Sequence, residues 1–303
     1  MASLAALLVD RAKDLSRHIA GAISGDVRHV HQGRVASRRL RESLAAAGRG
    51  GGQAAARARK AFRKITRALG PVRELDVALG HLEDGLDGIR IPRIAIERVR
   101  AHVVAERERR REKMLARLER VDLDEALSRV ERAARGAETG GVTSFSAGRL
   151  AERIRARAEA LEGAIADAGT LYHPERLHEV RIAAKKLRYG LEVVESTGLA
   201  DVTTPIRSLK RVQALLGVMH DYQVLLEHVA DVREATPKGT PGAAGLKAMA
   251  TAYDRECRTL HAGYLKQAPA LTASASALRD LEVKAPVTKP RSGTRRVAPA
   301  AGI

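Results

Sequence analysis

Tryptophan is absent from the 303 residues and aromatics make up 2% of them, so the chain has few flat rings on which nucleic-acid bases could stack. Cys257 is the single cysteine; it excludes an internal disulfide and any multi-cysteine metal centre, and it is expected in the core. No apolar run approaches the roughly 20 residues of a membrane span. The opening MASLAALLVDRAK is too short for a signal peptide and is interrupted by Asp10 and Arg11. A soluble, cytoplasmic protein without a membrane partner is therefore expected. No segment alternates apolar and polar residues with β-branched enrichment, so no sheet is predicted. The chain also lacks a P-loop, an HExxH, a GxSxG and a cysteine nucleophile motif, and nothing in it points to an enzyme. Acidic residues are in short supply, 36 against 54 Lys and Arg. The resulting formal charge of +18 should draw polyanions before any specific contact forms.

What the chain does have is 45% hydrophobic residues, mostly Ala, Leu and Val, which suits helices packed closely through small side chains. Leu246, Met249, Tyr253, Cys257, Leu260 and Tyr264 step by three or four, as do Leu150, Ile154, Leu161 and Ile165 at turn spacing. Breaks fall at Gly21 to Asp26, Gly48 to Gly52, Gly85 to Pro92, Gly136 to Gly141, Gly169 to Pro174, Thr197 to Pro205 and Pro237 to Gly242. The prediction is an all-α fold of about ten helices.

Self-similarity is the most informative pattern. HQGRVASRRLRESL from His31 recurs as HEVRIAAKKLRYGL from His178, and LGPVRELDVAL from Leu69 recurs as LGVMHDYQVLL from Leu216, both at an offset of 147. Between the blocks, Phe62, Arg63, Lys64 and Ile65 align with Leu209, Lys210, Arg211 and Val212. Leu15 and Ile19 match Leu161 and Ile165 at an offset of 146, after a one-residue change in loop length. A helical bundle used twice is the expected organisation, with halves at residues 1–140 and 141–283 around a pseudo-twofold axis. The final segment, residues 284–303, carries five basic and no acidic groups and three prolines, the composition of a disordered cationic tail.

On a helix, His31, Arg34, Arg38 and Arg41 fall within an arc of about 80° and span about 15 Å of axis. His178, Arg181, Lys185 and Arg188 take the same positions in the second half. Val30, Leu40 and Leu44, like Leu177, Leu187 and Leu191, lie on the neighbouring arc, so the cations border the core. A run that only confers solubility would usually lie opposite it. Burying so many unpaired cations is costly, so the space they face must hold water or anions. The next helix adds Arg59, Lys60, Arg63, Lys64 and Arg67, answered by Arg207, Lys210 and Arg211. Residues 27 to 79 contain 13 Lys or Arg against Glu42, Glu74 and Asp76, a net of +10, whereas residues 174 to 226 reach 8 against 6, a net of +2. The first half should dominate. The mixed run ERERRREK around Arg109 reads as a solvated helix with internal pairs. Glu74 and Asp76 follow a turn at Gly70, and Asp221 stands in the matching place; they either orient guanidinium groups or favour a helix N-terminal turn. Arg49 to Gln53 reads as a flexible loop between helices.

Arginine can give two parallel hydrogen bonds to one phosphate. With so few aromatics a base reader is disfavoured, whereas duplex DNA held through its backbone alone stays open. The stripe bordering the core suits a thin, base-free phosphate chain in a confined channel. Metal binding is not expected at His31 or His178, whose neighbours one and two turns on are Arg or Lys. Nor is it expected at the His29–His31 pair, because Arg176 replaces His29 in the second half. Protonation of His31 or His178, near about pH 6.5 when unperturbed, should strengthen anion binding on acidification.

These four motifs, in order across roughly residues 1 to 283, resemble the CHAD family, named for its histidine-bearing α-helical domain. The resemblance implies two four-helix bundles about a pseudo-twofold axis, with a basic central cavity that binds inorganic polyphosphate. It implies phosphate contacts for the basic residues among His31, Arg34, Arg38, Arg39, Arg41, His178, Arg181, Lys185, Lys186, Arg188 and Tyr189, with Arg73 downstream. His220 departs from the pattern, standing where an arginine opposite Arg73 is expected, and Gln223 stands where an aspartate is. Family members often accompany a triphosphate-tunnel CYTH domain, of which this sequence has no motif. A stand-alone, non-catalytic polyphosphate binder without cofactor is the expectation, associated with polyphosphate granules or acting as a scaffold. The alternative is a histone-like binder of nucleic-acid backbones.

Overall fold

The computed structural model describes residues 3–47, 52–86, 88–139 and 147–282. Among them are nine helices and no named strand: α1 (Leu4–Ser24), α2 (Val27–Ala46), α3 (Gly52–Asp84), α4 (Arg93–Leu118), α5 (Leu123–Thr139), α6 (Ala147–Ala168), α7 (Pro174–Thr197), α8 (Thr203–Glu234) and α9 (Pro241–Ala277). The cationic tail, the expected boundary between the halves at residues 140 and 141, and Arg49 to Gly51 of the expected loop lie outside the described residues. Gln53, assigned to that loop, is already in α3.

Local chemistry explains most boundaries. Ser3, Asp26 and Thr240 accept hydrogen bonds from the backbone N–H groups of Ala6, His29 and Ala243, which caps α1, α2 and α9. Gly25, at φ 93°, makes the left-handed turn from α1 to α2 that a side chain would strain. One break, from Glu119 to Asp122 between α4 and α5, went unpredicted; Asp122 accepts from Glu125 N–H there and starts α5.

The turn expected at Gly70 does not exist. α3 runs through Gly70 and Pro71, with Leu69, Val72 and Leu75 buried on a continuous face. Pro71 removes one backbone N–H, but burial of that face on both sides outweighs the lost bond. Glu74, Asp76 and Asp221 are consequently mid-helix residues, and the reading of them as helix-start carboxylates is wrong.

The helices pack as neighbours in a regular way. α2 lies between α1 and α3, and α5 packs on α1 and α3; α7 lies between α6 and α8, and α9 packs on α8 and α6. The two sets meet where α2 touches α7, α3 touches α8, and α4 touches α8 and α9. Small residues let them approach: a Cβ on Gly190 of α7 would stand 2.7 Å from Ile154 of α6. A buried hydrogen bond of 2.8 Å between Ser37 and Thr66 satisfies two hydroxyls at the α2–α3 contact. Cys257 is buried, its thiol donating to the Met219 carbonyl at 3.7 Å, as its place in a core stripe predicted.

Candidate anion-binding seam

α2 is sheltered along most of its length, with no exposed residue from His29 to its end, so His31, Arg34, Arg38, Arg39 and Arg41 are all half-buried. On α7, His178, Arg181, Lys185 and Arg188 are half-buried, Tyr189 is buried, and Lys186 is exposed. The bordering position of the two stripes thus carries the cations into the contact between α2 and α7.

Four of them gather there. Arg34, Arg38, Arg181 and Lys185 feel one another's charge directly. Arg34 Nη2 lies 3.5 Å from Glu74 Oε1, and Arg181 Nη2 lies 3.9 Å from Asp221 Oδ1. The two carboxylates sit on α3 and α8 at the same 147-residue offset as the arginines. Both pairs are loose compared with the about 2.8 Å of a close charge-assisted hydrogen bond. The Nε atoms of Arg34 and Arg181 are buried with no hydrogen-bond partner. An unmet buried donor of this kind is costly, more so on a charged group.

The same crowding perturbs the titrating groups. Burial, with Arg38 next, pushes the Arg34 guanidinium down to about 10. Burial also lowers Arg181. Lys185 falls to about 7, through burial first and then the charges of Arg181, Arg38 and Arg34. His31 is lowered by burial, Arg73 and Arg34, and His178 by burial and Arg181. His220 falls to about 4, by burial and then by Arg181 and His178, and its Nδ1 lies 3.2 Å from His178 Nδ1. In the first half the corresponding neighbour of His31 is Arg73, so the two ends of the seam differ in charge.

Further along the same helices the cations are neutralised. Arg39 donates to Glu192 at 3.2 Å, and Arg188 donates to the other oxygen of that carboxylate and, at 2.7 Å, to Gln213. Arg157 of α6 pairs with Glu42 at 2.7 Å and donates to the Lys186 carbonyl. Arg41 stands among Glu42, Arg38, Arg59 and Arg63, lowered by burial first.

The remaining cations named from the sequence lie elsewhere. Lys60, Arg63, Lys64 and Arg67 on α3 and Arg207, Lys210 and Arg211 on α8 are exposed. Arg63 faces Arg41, but Lys64 and Arg67 line a flank cavity of about 420 Å³ with Arg117 and Arg120. Lys60 and Lys64 border a neighbouring hollow of about 250 Å³ with Arg57, Arg120 and Arg129, facing Asp122 and Glu125. Seam residues line neither of these cavities.

Two contacts had no reliable sequence signal. Arg107 Nε donates to Asp76 Oδ1 at 2.7 Å and its Nη2 to the Gly25 carbonyl, tying α4 to α3 and the α1–α2 turn. Arg109 and Arg110 do pair with Glu106 within the helix, yet Arg107 and Arg111, which reaches the Ile23 carbonyl, make the run more than a solvated face. Asp76 has no exposed side chain, and burial raises its carboxyl even beside Arg107. Gln223, in the matching place of the second half, donates to the Tyr172 hydroxyl instead. Glu192 was the other omission; its spacing of four from Arg188 was the available clue.

The profile of the CHAD domain matches residues 6–230. The crystal structure of the CHAD domain from the plant Ricinus communis superposes with a TM-score of 0.64 at 19% identity, over 93% of each chain. PptA from Streptomyces chartreusis gives a TM-score of 0.51 at 15% identity, over 91% of this chain and 97% of that one. At such identities these likenesses establish fold alone. Uncharacterized proteins from two strains of Mycobacterium tuberculosis are 30% identical over 225 residues, which is 70% of this chain but 42% of theirs. The chain thus matches less than half the length of these curated relatives. A profile match across most of the chain, on an all-helical fold shared with a solved CHAD domain, leads to one conclusion: the chain belongs to the CHAD domain family.

Proposed function

We propose that the chain binds inorganic polyphosphate, without cleaving it, along the seam between α2 and α7. On this reading residues 1–140 and 141–283 are duplicated bundles about a twofold axis, and the seam between them is the basic hollow implied by the family resemblance. The observation that carries the reading is the matched pair Arg34 and Arg181. Each is half-buried, each meets a carboxylate only loosely, and each keeps a buried Nε donor without an acceptor. Two carboxylates face four cations there, and a chain of anionic tetrahedra supplies the missing acceptors at repeating intervals. Arg38 and Lys185 supply the rest of the charge, and His31, His178, His220, Arg73 and Tyr189 border it. Both seam carboxylates are held beside arginines, an arrangement that suits orienting guanidinium groups better than general acid or base chemistry. Scaffolding of polyphosphate or attachment to its granules, in the cytoplasm, would follow.

Titration of labelled long-chain polyphosphate at several salt concentrations tests this, with Arg34→Ala and Arg181→Ala beside the parent. Affinity should fall in both variants and the salt dependence should flatten; unchanged affinity in both removes the assignment. Phosphate release in the presence of a divalent metal would instead identify a hydrolase. A second reading, a binder of nucleic-acid backbones, is favoured by the flank cavity of Lys64, Arg67, Arg117 and Arg120, which no carboxylate lines. Competition separates the two: polyphosphate should displace duplex DNA far better than the reverse.

A further inference from the structure

We propose that His102, His228 and Asp231 form a site for a divalent ion of the zinc class that ties α4 to α8. The inference is independent of the seam. Among the described residues these three side chains bring one ligand atom each to within 4.8 Å of one another. His102 Nε2 lies 3.7 Å from Asp231 Oδ2, and the two imidazole centroids are 5.4 Å apart.

The helices present the donors for simple geometric reasons. His228 and Asp231, three apart on α8, share a face. His102 comes from α4, which runs antiparallel beside α8, as the hydrogen bond of 3.3 Å from Arg98 to Thr236 one turn further along shows. Sequence separation hid the group, because the two histidines are 126 positions apart. His228 also keeps a buried Nδ1 with no hydrogen-bond partner, a cost that direct ligation or an ion-bound water would relieve.

The donor set selects the ion. Two imidazoles and one carboxylate suit a borderline cation such as zinc, which binds them at about 2.0–2.2 Å and takes a fourth ligand from water. Closing the present spacing to those bonds needs side-chain shifts of roughly an ångström. The surrounding charge permits it, since Glu106, one turn beyond His102, already holds Arg109 and Arg110. Neither of the other histidine pairs offers this. At His18 and His29, whose Nδ1 atoms are 3.4 Å apart, Asp14 meets the opposite nitrogen of His18, so the donors diverge. At His178 and His220 the strongest charge acting on both rings is that of Arg181, which repels a cation.

Zn²⁺ titrated calorimetrically into the full chain, stripped with a chelator and free of phosphate, tests the site. Co²⁺ in place of zinc reports coordination through its visible absorption. Saturation at one ion per chain is expected, with a tetrahedral-type cobalt spectrum and a rise in melting temperature on adding one equivalent of zinc. His102→Ala, His228→Ala and the surface variant Asp231→Asn should each weaken binding by about tenfold or more, while His18→Ala leaves it intact. Asp231 is exposed, so its variant tests the site even if a histidine variant folds poorly. Absence of saturable binding, or unchanged affinity in the His102, His228 and Asp231 variants, overturns the proposal.

Discussion

Arg34 and Arg39 lie on one helix and are both half-buried, yet their surroundings are opposite. Arg39 and its counterpart region on α7 are closed by Glu192, which also holds Arg188, and Glu42 closes Arg157 close by. Arg34, Arg38, Arg181 and Lys185 share only two loosely placed carboxylates. The difference teaches that the count of basic residues says little about an anion site; what matters is which of them the fold has left without a close counter-charge. Closed cations hold helices together, and open ones are available to a ligand at some cost to the unliganded protein.

The largest test of that contrast is Arg34→Met combined with Arg181→Met. Two charge-assisted hydrogen bonds, at about 2 kcal/mol each, correspond to roughly a 1000-fold loss of polyphosphate affinity by fluorescence anisotropy. The melting temperature without ligand should hold or rise, because half-buried charges that carboxylates meet only loosely are being removed. A loss of stability with affinity intact would make these arginines structural.

Glu192→Gln should do the reverse. Opening the Arg39–Glu192–Arg188 contact should cost about 2 kcal/mol in denaturant unfolding, since both guanidinium groups then lack their anion. Polyphosphate affinity should stay level or rise about twofold as two cations are released. A collapse of affinity without a stability change would erase the distinction between the regions.

Lys185 sharpens it through pH. Its ammonium falls to about 7 in the unliganded fold against an ordinary value of 10.5. Below about 7 it is already charged when polyphosphate arrives; above that, binding has to draw in a proton, because bound phosphate raises the value. Affinity should therefore decline as pH rises from about 7 towards 9, by roughly tenfold, and Lys185→Met should flatten the profile. For folding the sign is the other way: the depressed value costs stability as pH falls from the ordinary value towards 7, so Lys185→Met should raise the unliganded melting temperature at neutral pH. His31 and His178, both held below their usual range in the free protein, should add a smaller gain in affinity on further acidification.

The smallest effect is expected at the flank. Lys64→Ala with Arg67→Ala removes exposed charges that attract a polyanion only at a distance, so affinity should drop by about twofold at low salt and not at all at high salt. A loss comparable to that of the seam variants would move the site to the α3–α4 flank.

Much of the fold was legible because helices advertise themselves locally. The apolar stripe of α9 from Leu246 to Tyr264, the caps at Asp26 and Thr240 and the turn after Ser24 all follow from interactions within a few residues. Gly70–Pro71 misled because a local turn signal competed with a buried face that continues through it. The site was legible in part. The 147-residue offset picked out Arg34 and Arg181 as equivalent, and the arc they occupy placed them beside the core. That arc could not separate Arg34 from Arg39, because the partner of Arg39 is Glu192 on another helix, 153 residues away.

The amino-acid sequence by itself determined the helical class, the repeated motifs and the direction in which their cations point, since each depends on periodicity along one helix. Only the tertiary structure decided which charges are neutralised, that Arg107 reaches Asp76, and that His102 meets His228 and Asp231. Pairing of charges acts over a few ångströms between segments distant in the chain, and such distances exist only once the helices have packed.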